Sequence, residues 1–206
     1  SFKKANYIGD PINAVKIFND LRADELFFLD INLIEKNKKI NFEFIKEISD
    51  EAFMPFSYGG GINSLENIEQ IITQGAEKVV LNSYLYTNPE IITEAAKLFG
   101  SQSIVASLDI YKNLFGKYYL YSNGGRQKQK HDIIPWVKKM VDLGVGEILI
   151  NSINNDGKML GYDLQMINMI SNEVNIPVVA CGGAGKISHF KDEEDTTSLK
   201  EEQKLF

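Results

Sequence analysis

Apolar residues fall into short runs separated by longer amphipathic stretches. The short runs are Glu25–Asp30, Phe56–Tyr58, Lys78–Asn82, Ile104–Asp109, Glu147–Asn151 and Val178–Cys181. They are too short for helices and rich in β-branched, leucine and aromatic residues, as buried strands are. Between them, apolar positions three and four apart predict helices over Pro11–Leu21, Asn41–Ser49, Leu65–Gln74, Pro89–Phe99, Ile134–Leu143 and Leu164–Asn172. Ser64 and Asn88-Pro89 mark helix starts, and Gly75, Gly100 and Gly144 mark stops. Strand-then-helix alternation predicts a parallel sheet with helices outside it. One stretch breaks the alternation. Leu114 to Tyr121 turns at Gly116-Lys117 and reads as a β-hairpin over the mouth of the sheet.

The pattern occurs twice. Glu25-Leu-Phe-Phe-Leu-Asp30 and Glu147-Ile-Leu-Ile-Asn-Ser152 share one shape, and Met54-Pro-Phe-Ser-Tyr-Gly-Gly-Gly61 is echoed by Ile176-Pro-Val-Val-Ala-Cys-Gly-Gly183. The offsets agree, 147 − 25 = 122 and 177 − 55 = 122. Two such halves make an α/β fold of the TIM (β/α)8 barrel class, occupying residues 1–190, with 191–206 a polar, divergent tail. A complete barrel takes about 250 residues, against 206 here. The repeat partner of Asp109 would precede residue 1, and Lys78–Asn82 would be echoed by Lys200-Glu-Glu-Gln-Lys204, which is no buried strand. The expected barrel is therefore incomplete, with strands one and eight missing or diverged.

The net charge is −6. No basic stripe precedes the last helix, which argues against a nucleic-acid partner. Cys181 is the single cysteine, so no internal disulfide can form and a reducing cytoplasm fits. No apolar run approaches the roughly 18 residues of a spanning helix, and no signal peptide is visible, so no membrane partner is expected.

Candidate chemistry clusters at strand ends. Gly59-Gly60-Gly61 and Gly182-Gly183-Ala184-Gly185 each follow a strand and precede a helix. Glycine lets backbone N–H groups crowd an anion, and two such turns suit a ligand with a phosphate at each end. Either turn alone reads more readily as a packing requirement; the symmetric pair reverses that. Asn82-Ser83 could donate to the first phosphate or could cap a helix. Asp30, Asp109 and Asn151-Ser152 end their strands, where barrel side chains meet substrate. Asp109 follows an apolar run, so burial would desolvate its carboxyl and suit it to proton transfer. Asp156-Gly157 is either a contributor to this rim or a plain turn. Glu25, Lys78 and Glu147 open strands at the opposite face, where a structural ion-pair cluster is the ordinary expectation. His131 and His189 lie in polar loops without ligand spacing, so neither a metal nor a cofactor is expected.

Gly9-Asp-Pro, Asp24-Glu-Leu…Phe-Leu-Asp30, Gly59-Gly-Gly-Ile, Lys78-Val…Asn82, Phe99-Gly-Ser-Gln, Asp156-Gly…Gly161-Tyr-Asp163 and Gly182-Gly-Ala-Gly-Lys186 occur in order. Together they resemble the cyclase subunit of imidazole glycerol phosphate synthase, over about Gly9 to Phe190. The resemblance implies a (β/α)8 lyase of histidine biosynthesis. Such an enzyme takes ammonia from a glutaminase subunit and converts a bisphosphorylated ribulosyl-formimino substrate to imidazole glycerol phosphate and an aminoimidazole ribotide. It further implies that Asp109 is a catalytic acid/base. Gly60, Gly61, Asn82 and Ser83 would hold one phosphate, and Gly182 and Gly183 the other. Ser152, Asp156 and Gly157 would contact substrate, Asp30 would stand at the active-site rim, and Glu25, Lys78 and Glu147 would gate ammonia.

Departures point to a paralogous branch. Ile31-Asn32-Leu33-Ile34 replaces a small Thr-Ala-Ser stretch, Asn151-Ser152 replaces Thr-Ser, and Gly124-Gly-Arg-Gln-Lys-Gln-Lys130 lacks Asn-Thr-Gly. With the Tyr7-Ile-Gly-Asp-Pro start, these features are similar to the barrel that supplies ammonia for acetamidino-sugar formation in surface-glycan biosynthesis. An inactive truncated fragment is the third alternative, since the other catalytic aspartate belongs to the absent first strand.

Overall fold

The structure, a computed structural model, describes residues 9–31, 33 and 39–191. Tyr7, Asn32, Ile34, the expected echo at Lys200–Lys204 and the tail from Asp192 lie outside the described residues. The described residues form two compact units. One holds the chain up to Ala106 together with Leu143–Gly146; the other holds Ser107–Asp142 and Glu147 onward.

In the first unit, α1 (Pro11–Asp20) leads to β1 (Leu26–Leu29), α2 (Phe42–Glu51), β2 (Phe56–Gly59), α3 (Leu65–Thr73), β3 (Lys78–Leu81), α4 (Ile91–Phe99) and the start of β4 (Ile104–Lys112). The strands pair in parallel in chain order, with Leu26 opposite Phe56, Ser57 opposite Lys78 and Val79 opposite Ile104. Local chemistry sets the helix starts. Asp10 accepts from the Ile12 and Asn13 N–H ahead of Pro11, Asn41 accepts from Phe44 N–H, and Ser64 accepts from Asn67 N–H. Ile45, Ile48, Ile68, Ile71, Ile92 and Ala95 are fully buried, which is the apolar stripe that the sequence periodicity carries. The helix predicted from Pro89 begins two residues later. Its Glu90 N-cap makes no side-chain cap bond, and Pro89 instead supplies a carbonyl to Ile92 N–H.

In the second unit, β4 continues into β5 (Tyr118–Ser122) and β6 (Gln127–Lys128), followed by α5 (Ile133–Leu143), β7 (Glu147–Ser152), α6 (Leu164–Ser171) and β8 (Val178–Cys181). The hairpin is present, but its first arm is β4 itself. Asp109 pairs with Tyr121 and Lys112 with Tyr118, so Leu114 stands in the turn. Asn113 Oδ1 accepts from the N–H of both Phe115 and Lys117, an Asx-type turn that ends the strand at Lys112, two residues before Leu114. Asn154 clamps the hairpin's first arm beside the turn, accepting from Lys112 N–H at 2.7 Å and donating to Lys112 O at 2.9 Å.

The 122-residue offset holds in the backbone register. The β1–β2 pair Leu26–Phe56 maps onto the β7–β8 pair Ile148–Val178, since 26 + 122 = 148 and 56 + 122 = 178. The bond closing each pair also repeats, from Leu26 N–H to Pro55 O and from Ile148 N–H to Pro177 O, both 3.0 Å. The fold class is α/β with a parallel sheet, in the strand–helix order of the (β/α)8 barrel. Among the described residues no helix is long and apolar enough to cross a membrane.

Candidate active site

β4 is buried from Ile104 to Ile110 and carries Asp109 as its sixth residue. The strand runs on to Lys112 in the hairpin, so Asp109 does not end it as the sequence predicts. Asp109 is only 6% exposed. Ionising a carboxyl so far from water requires a donor, and β7 supplies one. Asn151 Nδ2 donates to Asp109 Oδ1 at 3.2 Å. Strand alternation puts Glu147, Leu149 and Asn151 on one side of β7 and Ser152 on the other. The sequence places Asn151-Ser152 together at the strand end and the resemblance selects Ser152, but it is Asn151 whose side chain meets Asp109. Ser152 is buried, and its carbonyl accepts from the N–H of Asn155 and Asp156, which starts the following turn.

Gly182 closes over this pair. A Cβ at Gly182 would lie 3.0 Å from Asn151 Oδ1, 3.1 Å from Ser152 O and 3.3 Å from Asp156 Cβ, and its φ is +85°. Only glycine passes there. Asn151 Oδ1 is buried with no hydrogen-bond partner among the described residues. Asp156 therefore belongs to the cluster as well as to a turn, in which Gly157 takes φ +71°. Burial first, then the charge of Asp156, pushes the Cys181 thiol up, against a smaller opposing effect of the Gly182 N–H. Cys181 stays a thiol at neutral pH.

The two glycine turns have the same design. Gly60 and Gly61 take φ +134° and +64°, and Gly182 and Gly183 take +85° and +117°. A Cβ at Gly60 would lie 2.5 Å from the Asp30 carbonyl oxygen, and one at Gly183 would collide with the Gly161 carbonyl oxygen. Asp30, predicted for the rim, follows β1 and supports the first turn through its backbone, with its N–H donating to Gly59 O at 2.7 Å. Its charge, after burial, also holds the buried Tyr58 hydroxyl above the ordinary tyrosine range. Among the described residues none accepts from the N–H of Gly60 or Gly61. Asn82 and Ser83 follow β3, and no Asn82 side-chain bond caps the 3-10 turn Ser83–Tyr86. That removes the capping explanation for Asn82.

His189 departs from the solvated loop residue expected. It lies in a helical segment, and its Nδ1 accepts from Gly185 N–H at 3.2 Å, fixing the end of the second glycine turn. His131 is exposed as expected, with its ring 4.1 Å from that of Trp136. Among the described residues, no three His, Cys, Asp or Glu side chains are grouped as metal ligands.

At the opposite strand ends, the first unit joins two of the three predicted charges. Lys78 Nζ lies 2.9 Å from the Glu25 carboxylate, and Ser57 Oγ donates to the same carboxylate at 2.8 Å. Ser57 belongs to this cluster, and its position opposite Lys78 in the β2–β3 register is what brings it there. In the second unit, Glu147 opens β7 and is 6% exposed.

The sequence profile of the histidine biosynthesis protein family matches residues 1–201. A Pseudomonas aeruginosa protein provisionally named imidazole glycerol phosphate synthase subunit hisF2 is 42% identical over 191 residues, covering 93% of this chain and 76% of that protein. The imidazole glycerol phosphate synthase subunit HisF of Alkaliphilus metalliredigens is 42% identical over 184 residues, 89% of this chain and 73% of that one. A Vibrio vulnificus protein provisionally named subunit hisF3 is 43% identical over 205 residues, 99% of this chain and 76% of its own length. Buried acid, paired glycine turns and sequence identity agree: the chain belongs to the histidine biosynthesis protein family and, within it, with the HisF subunits of imidazole glycerol phosphate synthase.

Proposed function

We propose that the protein is a cyclase subunit that uses ammonia to convert a bisphosphorylated ribulosyl-formimino substrate to imidazole glycerol phosphate and an aminoimidazole ribotide, a lyase reaction of histidine biosynthesis in the cytoplasm. The observation that carries this reading is the buried Asp109–Asn151 pair against the Gly182 turn. Asp109 acts as acid/base on the substrate, and the Asn151 amide holds its carboxylate in place. Gly60, Gly61, Asn82 and Ser83 bind one phosphate. Gly182 and Gly183 bind the other, with Ser152, Asp156 and Gly157 beside them. Residues 1–190 form one barrel domain of two halves, and 191–206 are a divergent tail. Turnover of the bisphosphorylated precursor with ammonium salts tests the reading, and no product at any ammonium concentration would refute it.

The first turn should bind inorganic phosphate on its own, since its N–H groups are the unengaged donors. Titration followed by backbone amide NMR should shift Gly60 and Gly61 at millimolar phosphate. Unmoved resonances at both positions would remove the phosphate assignment.

Ammonia reaches the family's barrel from a glutaminase subunit, and Glu25, Lys78 and Glu147 are assigned to its entrance. Lys78→Met should cut glutamine-driven turnover roughly tenfold or more, the scale of one lost interaction, and leave ammonium-driven turnover near that of the unsubstituted protein. Loss of both together would mark the Glu25–Lys78 pair as purely structural.

A second reading is favoured by the names hisF2 and hisF3 among the relatives and by Asn151, which replaces the Thr of the resemblance. In it, the same site serves acetamidino-sugar formation and no longer closes an imidazole ring. A third, an inactive protein, corresponds to phosphate binding without turnover of either substrate.

A further inference from the structure

The β4–β5–β6 hairpin carries features that the proposed reaction does not use. Lys112, Lys117, Arg126, Lys128 and Lys130 lie between Asp109 and Asp132 with no Asp or Glu among them, in a chain whose net charge is −6. They are scattered in sequence, so no basic stripe is visible there. Pairing of β5 with β6 collects them: Lys117 Nζ and Lys128 Nζ lie over the same Tyr119 ring, at 5.5 and 3.4 Å from its centre. At the tip, Leu114 is 99% exposed and Phe115 95%. The tip is not loose. The two Asn113 side-chain bonds, the Asn113 N–H bond to Lys117 O and Gly116 at φ +81° fix the turn that presents them. A rigid turn holding two large apolar side chains in water forgoes their burial and gains nothing within this fold.

We propose that this hairpin is a docking device for an anionic lipid surface, with Leu114 and Phe115 entering the headgroup–acyl boundary and Lys117 and Lys128 lying against acidic headgroups. Charge complementarity selects this occupant. Asp163 stands by Tyr118 and Lys112, so the cationic face is that of Lys117 and Lys128. A neutral protein groove would match the tip but not these cations, whereas an anionic bilayer matches both, and the half-buried Tyr119 between them suits the interface. The expectation of no membrane partner rests on the lack of spanning runs and does not bear on surface docking.

The test is co-sedimentation of the full chain with vesicles of phosphatidylcholine alone or with about one-third phosphatidylglycerol. The expected result is binding to the anionic vesicles, weaker in high salt, and little to the neutral ones. Lys117→Glu with Lys128→Glu should lower the partition coefficient at least about tenfold, since each cation beside an acidic leaflet contributes roughly fivefold. Leu114→Ser with Phe115→Ser should lower it comparably at unchanged circular dichroism; both residues are solvent-exposed, so folding is unaffected. No binding to anionic vesicles would overturn the proposal. So would equal binding by the tip variant, a tip-dependent change in oligomeric state without vesicle binding, or preference for single-stranded DNA over the vesicles.

Discussion

Asp109→Asn should lower ammonium-driven turnover of the bisphosphorylated precursor by about 100-fold or more, the usual contribution of a positioned acid/base. The substitution keeps shape and removes only the titrating group. Asn151 Nδ2 now donates to Asp109 Oδ1 and could donate equally to an amide oxygen, so the local structure should survive. Thermal stability should therefore hold or rise, because a neutral amide is less costly to bury than a carboxylate. Phosphate shifts at Gly60 and Gly61 should be unchanged. Undiminished turnover would remove Asp109 from the chemistry. Turnover lost together with the fold would show only that the carboxylate is structural.

Gly60→Ala should be strongly destabilising, by roughly 2–6 kcal/mol. This combines a strained positive φ at about 1–3 kcal/mol with an overpacking cost of similar size. The added carbon meets the Asp30 carbonyl oxygen, which is backbone and cannot rotate away. Gly183→Ala should behave alike in the second unit, against the Gly161 carbonyl. Gly124→Ala is the control. It has the same sign of φ but nothing within 4 Å of the new carbon, so only about 1 kcal/mol of backbone strain remains. Urea unfolding of the three variants separates the effects. Similar midpoints for Gly60→Ala and Gly124→Ala would mean that the close approach to Asp30 carries no cost.

Where the sequence predicted well, period and spacing were set by local chemistry. The apolar stripes of α2, α3 and α4 and the caps at Asp10, Asn41 and Ser64 are readable because each depends on residues within one turn. The 122-residue offset reappears in the β1–β2 and β7–β8 registers, each pair closed by the same bond to a proline carbonyl, Pro55 and Pro177. The hairpin was seen, but its first arm was misplaced. The Asn113 side chain ends the strand, and nothing in the hydrophobic pattern marks that. Within the candidate site, both glycine turns were legible from their positions after strands, and Asp109 from the apolar run before it. Ser57 was not, since it acquires its role through Glu25, a partner brought near by folding, and neither the Asn151 bond to Asp109 nor the local His189 bond to Gly185 is marked in the hydrophobic pattern. The basic hairpin face was hidden for the same reason, its cations being distant along the chain and adjacent only after β5 pairs with β6.

The central claim is that ammonia is spent on closing an imidazole ring. Its most direct test supplies the protein with the bisphosphorylated ribulosyl-formimino precursor and nitrogen-15 ammonium and follows the label by mass spectrometry. One labelled nitrogen is expected in imidazole glycerol phosphate, with unlabelled aminoimidazole ribotide released in equal amount. Unconsumed precursor, alongside label entering an acetamidino group when an acetamido sugar is supplied instead, would contradict it.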